Sequence, residues 1–303
     1  MNGLRTRIGI DLGGTKVEIV ALDESGGTIL RRRVATPAGD YEGTVRVIAE
    51  LVRAAEMQIG KSACVGIGAP GSVSPASNLV RNANSTVLIG KPFAADLERA
   101  LGREIRIAND ADCFALSEAI DGAAQDGSVV FGAILGTGVG GGIAIDKHVL
   151  RGANGIAGEW GHNSLPFPAP DEVPGRACYC GRRGCIEAFL SGPALSAQYR
   201  EATGNTLAPT AIAQAAENGD AAAVACMNLY VDRLARAFAS IINVLDPDVI
   251  VLGGGVSNIP RLYADVPAAL PRYVFSDVIR TRIVRAAFGD SSGVRGAALL
   301  WPG

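Results

Sequence analysis

Basic character, long apolar runs and histidine are all scarce in this chain. Its 303 residues carry a formal net charge of −2 and only two histidines. A nucleic-acid surface would show a basic face or stripe, and none is expected here. No apolar run approaches the roughly 20 residues that span a bilayer. The start, MNGLRTRIGIDLGGTK, has no apolar region of a signal peptide. These absences point to a soluble, cytoplasmic protein with no nucleic-acid or membrane partner. The P-loop pattern G-x-x-x-x-G-K-[ST] is missing as well. Gly136, Gly138 and Gly141 fit G-x-G-x-x-G. A dinucleotide site needs a helix to follow, and a strand over 143–145 is expected instead, so that reading is rejected.

What is abundant is glycine, 39 residues, and apolar side chains, 48% of the chain. That balance suits an α/β protein with tight turns and close backbone approaches. Residues 7–12, 17–22 and 28–36 read as three strands joined by glycine turns. Apolar residues at helical spacing predict a helix over 41–59. A strand at 63–67, a helix at 92–101, a strand at 105–108 and a helix at 112–120 follow. After the small, polar stretch 121–128 the pattern recurs. Strands are expected at 129–135 and 143–146, with a third near Val149. Then come a helix around 230–245, a strand at 248–252, a helix, a strand at 282–288 and a last helix at about 293–301. A repeat of this kind suggests two similar lobes with a cleft between them. The four prolines within 163–177 mark a loop.

Three glycine loops are candidates for holding phosphates, since glycine lets backbone N–H groups close on an anion. They are the stretch around Asp11, Gly13, Gly14, Thr15 and Lys16, the stretch 136–142 with Gly136, Thr137 and Gly138, and Gly254 with Gly255 after the strand at 248–252. Any one of them is equally an ordinary turn. Asn109-Asp110 lies between a strand and a helix, a position that also suits an N-cap. Asp112 is itself a suitable cap, which leaves Asp110 to accept a proton from an attacking hydroxyl.

Six cysteines are present, and Cys178, Cys180 and Cys185 fall within eight residues. With His162 of the GEWGH segment they make a complete tetrahedral zinc shell, which would be structural because no position stays open. Reduced, unbound cysteines are the plainer alternative. Glu159 and Glu187 flank the shell, either as solvated carboxylates or as acceptors for sugar hydroxyls. Cys64, Cys113 and Cys226 read as core fillers, and His148 as a turn residue.

The motifs IGIDLGGTK, GIGAPG, NDADC, LGTGVGGG, GEWGH, CYCGRRGCIE and DVIVLGGG together resemble the ROK family of sugar kinases and repressors, from about Ile8 to Trp301. The resemblance implies an actin/hexokinase-like (ribonuclease H-like) duplicated two-lobe α/β fold. Its N-terminal small lobe would be 1–120, joined by a C-terminal helix at about 293–303. A large lobe with the zinc-binding insertion would cover 121–292. It implies ATP with Mg2+ on the three loops, zinc on His162 and the three cysteines, Asp110 as catalytic base and a homodimer. Asn109, Glu159, His162 and Glu187 would contact the sugar, with Asn84 beside them. Segments 82–86, 161–166 and 289–298 look most like bacterial fructokinases, with N-acetylhexosamine, glucose and mannose kinases as alternatives. A repressor would need a DNA-reading module before the first strand, for which no room is seen. The family often has Asn where this chain has Asp112, and a second carboxylate there is expected to raise the pKa of Asp110.

Overall fold

A computed structural model describes residues 6–83 and 85–301. Asn84 lies outside the described residues. The chain divides into two compact units, residues 1–122 with 142–157 and 290–303, and residues 123–141 with 158–289. Residues 142–157 thus group with the first unit, whereas the sequence reading left them in the 121–292 segment.

In chain order the elements of the amino-terminal stretch are β1 (Arg7–Leu12), β2 (Lys16–Leu22), β3 (Thr28–Ala35), α1 (Tyr41–Ile59), β4 (Cys64–Ala69), β5 (Ser72–Val73), β6 (Val80–Arg81), α2 (Phe93–Leu101), β7 (Arg106–Asn109) and α3 (Asp110–Ile120). They form a sheet of order β3-β2-β1-β4-β7, in which β1, β4 and β7 run parallel. Alternation along β1 puts Ile8, Ile10 and Leu12 into a core with Ile48, Val52, Val65 and Ile67. The opposite face of β1 and β4 is covered by the last helix of the chain, α9 (Ser292–Leu299). Gly66 allows that contact, and Gly296 allows the approach of α9 to α3. A Cβ on Gly66 would lie 1.8 Å from the Ala297 carbonyl oxygen, and one on Gly296 would lie 1.7 Å from that of Cys113. Helix and sheet therefore meet backbone to backbone.

The remaining elements are β8 (Val129–Leu135), β9 (Val139–Ile145), β10 (His148–Val149), α4 (Glu187–Leu190), α5 (Gly192–Thr203), α6 (Pro209–Glu217), α7 (Ala221–Leu245), β11 (Val249–Gly253), α8 (Leu262–Ala269) and β12 (Arg282–Arg285). The second sheet has the order β10-β9-β8-β11-β12, and β11 runs parallel to both its neighbours. Strand β9 leaves the second unit at Gly141. Each sheet thus starts with a three-strand meander, followed by two parallel strands added on the far side of its first strand. This duplication is the one anticipated from the sequence. Within the second unit, Glu172 is buried between Arg233 and Arg236 of α7, at 2.6 and 2.8 Å. The two guanidiniums hold its carboxyl down to about 2 against the cost of burial. That network ties the proline-rich loop to the long helix.

Several expectations shift. The segment 139–142, taken as part of a loop, is already strand β9, so the second glycine turn shrinks to 136–138. Helix α3 starts at Asp110, and its cap is Asn109, whose side chain accepts from the Ala111 amide. Asp112 is therefore inside the first turn and is not the cap. Helix α7 begins at Ala221, nine residues before the apolar pattern starts at Tyr230. Among the described residues no helix is long and apolar enough to cross a membrane.

Candidate active site

In the first unit the chemistry collects at the carboxyl ends of the parallel strands, where open α/β sheets bind their ligands. Asp11 lies near the end of β1, and Asn109 ends β7. The turn after β1 is closed by the Gly13 amide donating to the Lys16 carbonyl at 2.9 Å. It is fastened to β3's exit by the Thr36 hydroxyl donating to the Gly13 carbonyl at 2.8 Å. Gly14, Thr15 and Lys16 are exposed, and no atom stands where a Gly14 Cβ would go. Amides of this turn are open to an anion.

Asn109 is used at both ends. Its Oδ1 accepts from the Ala111 amide at 2.8 Å, and its Nδ2 donates to the Gly71 carbonyl at 2.9 Å. These bonds fix the junction from which Asp110 projects. Asp110 is exposed, and its Oδ1 accepts from the Ala111 amide at 2.9 Å. The carboxyl driven upward here is Asp11, to about 7. Burial is the main cause, the nearby charges of Asp110 and Glu18 add to it, and Lys16 and Arg33 oppose it. Spacing along the chain drew attention to Asp112 beside Asp110. The fold also brings Asp11 near Asp110, from a strand ninety-nine residues earlier, and the charge of Asp110 adds to the rise at Asp11.

In the second unit, Trp160 anchors the GEWGH segment. Its ring stacks on Phe238 at 5.4 Å and meets Phe131 edge-on at 5.6 Å, while Nε1 donates to the Gly140 carbonyl at 2.8 Å. The segment is thereby pressed against β9, with Glu159 and His162 on either side of the buried indole. Burial pushes the Glu159 carboxyl up, His162 pulls it down, and Glu187 adds a smaller upward push.

His162, Cys178, Cys180 and Cys185 converge, with one ligand atom from each lying within 4.8 Å of all the others. Cys178 Sγ is 3.6 Å from His162 Nδ1, and Cys180 Sγ is 3.7 Å from Cys185 Sγ. In a tetrahedral zinc shell with Zn–S of about 2.3 Å and Zn–N of about 2.0–2.1 Å, these edges would be roughly 3.5–3.8 Å. The donor set and its spacing fit zinc. The other ring nitrogen, His162 Nε2, lies 3.0 Å from the Tyr179 hydroxyl, which orients the imidazole. Tyr179 was not singled out from the sequence. Only its place between two cysteines marks it.

Glu187 opens α4 and joins this cluster to the second glycine turn. Its Oε2 accepts from the Val139 amide at 2.9 Å, and its Oε1 lies 3.8 Å from Cys178 Sγ. Gly254 comes to the same turn from β11. Its φ is +80°, and a Cβ there would lie 2.4 Å from the Leu135 carbonyl oxygen and 3.0 Å from the Gly136 nitrogen. The second unit therefore gathers Gly136, Thr137, Gly138, Gly254 and Glu187 into one neighbourhood. His148 and the buried Cys113 and Cys226 take no part in either cluster.

Comparison with known proteins places the chain among sugar kinases. An N-acetyl-D-glucosamine kinase of Yersinia pseudotuberculosis is 40% identical over 296 residues, covering 96% of this chain and 97% of that protein. The ROK hexokinase of Thermus thermophilus superposes with a TM-score of 0.86 at 31% identity, covering 97% of each chain. The ROK family glucokinase of Streptomyces griseus, solved with glucose and AMPPNP, gives 0.76 at 30% identity, covering 97% of this chain and 98% of that one. The ROK family model matches residues 7–303, and the chain belongs to the ROK family.

Proposed function

We propose that this chain is an ATP-dependent kinase of a free N-acetylhexosamine, with N-acetylglucosamine first among the substrates. One observation carries the choice of sugar: identity of 40% along 96% of the chain with an N-acetyl-D-glucosamine kinase. Fructose, the first choice on the motifs alone, gives way to it. The three segments behind that choice are short beside an end-to-end match.

The residues divide the work as follows. Asp110 is the general base. It takes the proton from the sugar's C6 hydroxyl as that oxygen attacks the γ-phosphorus of ATP, and ADP leaves. Asn109 holds the strand–helix junction rigid and contacts the sugar. Glu159, His162 and Glu187 accept or donate hydrogen bonds to sugar hydroxyls, with Asn84 as a further contact. Backbone amides of Gly13, Gly14, Thr15 and Lys16, and of Gly136, Thr137 and Gly138, take the phosphates. Gly254 and Gly255 face the adenosine. Mg2+ accompanies the nucleotide, and Asp11, whose carboxyl resists ionisation, is where a dication's charge is felt most. Zinc on His162, Cys178, Cys180 and Cys185 would supply a fixed cross-link and no chemistry of its own. The same reading takes the protein to be a cytoplasmic homodimer.

The test is a panel of N-acetylglucosamine, N-acetylmannosamine, glucose, mannose and fructose with saturating Mg-ATP, read as kcat/KM. N-acetylglucosamine should rank first. Fructose ahead of it would restore the motif-based choice, and no turnover with any of the five would remove the kinase reading. Light scattering at working concentration decides the dimer.

A further inference from the structure

We propose that the first unit carries a second ligand site, for a phosphate-bearing small molecule, at the amino-terminal end of its sheet. The parallel register pairs Arg7 with Cys64 and Gly66 with Arg106, so both arginines stand at the starts of their strands. Asp11 and Asn109 stand at the other ends. A cavity of about 850 Å3 runs the length of the outer strand β7, from Arg7 and Trp301 at the amino-terminal end to Gly71 and Asn109 at the other. That is within the range of small-molecule sites, roughly 300–1,000 Å3.

Arg7 is the key observation. It is 7% exposed, and its Nε is buried without a hydrogen-bond partner. A buried guanidinium with an unmet donor is costly unless something pairs with it. Alternation along β1 puts Arg7 on the same face as Gly9, where a Cβ would strike the backbone of α9 at Val294 and Ala298. The carbonyl end of α9 offsets part of the charge. The Leu300 carbonyl at that end accepts from Arg106 Nη1 at 2.6 Å.

The rest of the lining has the same sign. Arg106, Lys147 and Arg151 join Arg7 against two carboxylates, Glu104 and Asp112. Arg106 lies 4.2 Å over the Trp301 ring, and Arg151 donates to the Ile107 carbonyl at 2.6 Å. Two of the cations are therefore held in place by neutral groups, which fixes their direction and leaves their charge for a ligand. Guanidinium forks match phosphate oxygens in geometry. The indole and the apolar residues of β7 provide a wall for the body of the molecule.

The experiment is calorimetric titration of the full chain with two probes, N-acetylglucosamine 6-phosphate and inorganic phosphate. Saturating sugar and AMPPNP keep the catalytic site filled. The phosphate ester should bind with one equivalent per chain. Lys147→Ala and Arg151→Ala should each weaken it by about tenfold or more, the usual effect of losing a charge-assisted hydrogen bond. Arg7→Met should abolish it while steady-state turnover persists. Binding of inorganic phosphate with equal strength would identify the free anion as the ligand of the same site. Absence of binding by either probe overturns the proposal, and so does equal affinity in all variants. If Arg7→Met fails to fold, the two exposed-residue variants decide.

Discussion

Glu187 Oε2 accepts the Val139 amide at 2.9 Å, which ties a candidate sugar ligand to the strand that leaves the second glycine turn. Gly138 is part of the same arrangement, because a Cβ there would stand 2.7 Å from that oxygen. Gly138→Ala must displace the carboxylate, and Glu187→Ala leaves a buried amide unmet at a cost of about 1–3 kcal/mol. Both variants should raise KM for ATP as well as for sugar. Their effects should not add, with a coupling of about 0.5–3 kcal/mol in a double-mutant cycle. Additive losses would show that the two residues act separately.

Asp110→Asn keeps the shape of the side chain and the bond from Ala111 while removing the base. Turnover should fall by about 10²–10⁴-fold. Sugar affinity and thermal midpoint should stay close to those of the parent. Near-parental kcat would remove Asp110 from proton transfer.

Asp11 makes stability depend on pH. Its folded carboxyl titrates at about 7 against an ordinary value of 3.8. The folded state therefore holds a proton that the unfolded chain releases earlier. Its contribution is fully present below about pH 4 and disappears as pH rises through about 7, a change of up to a few kcal/mol at about 1.4 kcal/mol per pKa unit. Chemical denaturation of Asp11→Asn between pH 4 and 8 should show a flatter profile than the parent. Parallel profiles would mean that Asp11 is ionised throughout.

The cysteine cluster should hold about one zinc per chain, since four ligands close the shell. Metal analysis of purified protein checks this. Cys180→Ser should lose the ion and leave the 162–185 segment open to proteolysis, because metal affinity here is also folding energy. Retention of a full equivalent by that variant would contradict the assigned shell.

Gly66→Ala and Gly296→Ala should each destabilise by more than the roughly 1–3 kcal/mol of ordinary overpacking. In both, the added methyl would overlap backbone oxygen and not a movable side chain. Unfolding midpoints close to the parent's would show that α9 can lift from the sheet.

Regular elements with a strong pattern could be read directly from the sequence. The short apolar runs at 7–12 and 17–22 and the helical spacing in 41–59 report burial, and the fold kept them nearly residue for residue. Helix α4 escaped notice because it is only four residues long, and α5 and α6 because their short, alanine-bearing stretches carry no clear apolar stripe. The cluster of His162, Cys178, Cys180 and Cys185 was legible because its residues are close in the chain. The pairing of Asp11 with Asp110 was not, because only the parallel register of β1, β4 and β7 brings those strand ends together. The same holds for Glu187 and Val139, forty-eight residues apart. For Asn109 and Asp112 the local rule left both as candidate caps. Asn and Asp both cap helices, and Asn109 won because Gly71 holds its other end.

The last helix has a consequence for how the chain is made. Cys113 of α3 shares its packing with Ala297 of α9, and a ribosome must add the whole second unit between them. Emerging first, the amino-terminal strands would have to wait with one face bare, while the later-made unit completes its own core. Nascent-chain stalling or loss of the final ten residues should therefore expose the earliest part of the protein, not the latest, to aggregation and chaperones.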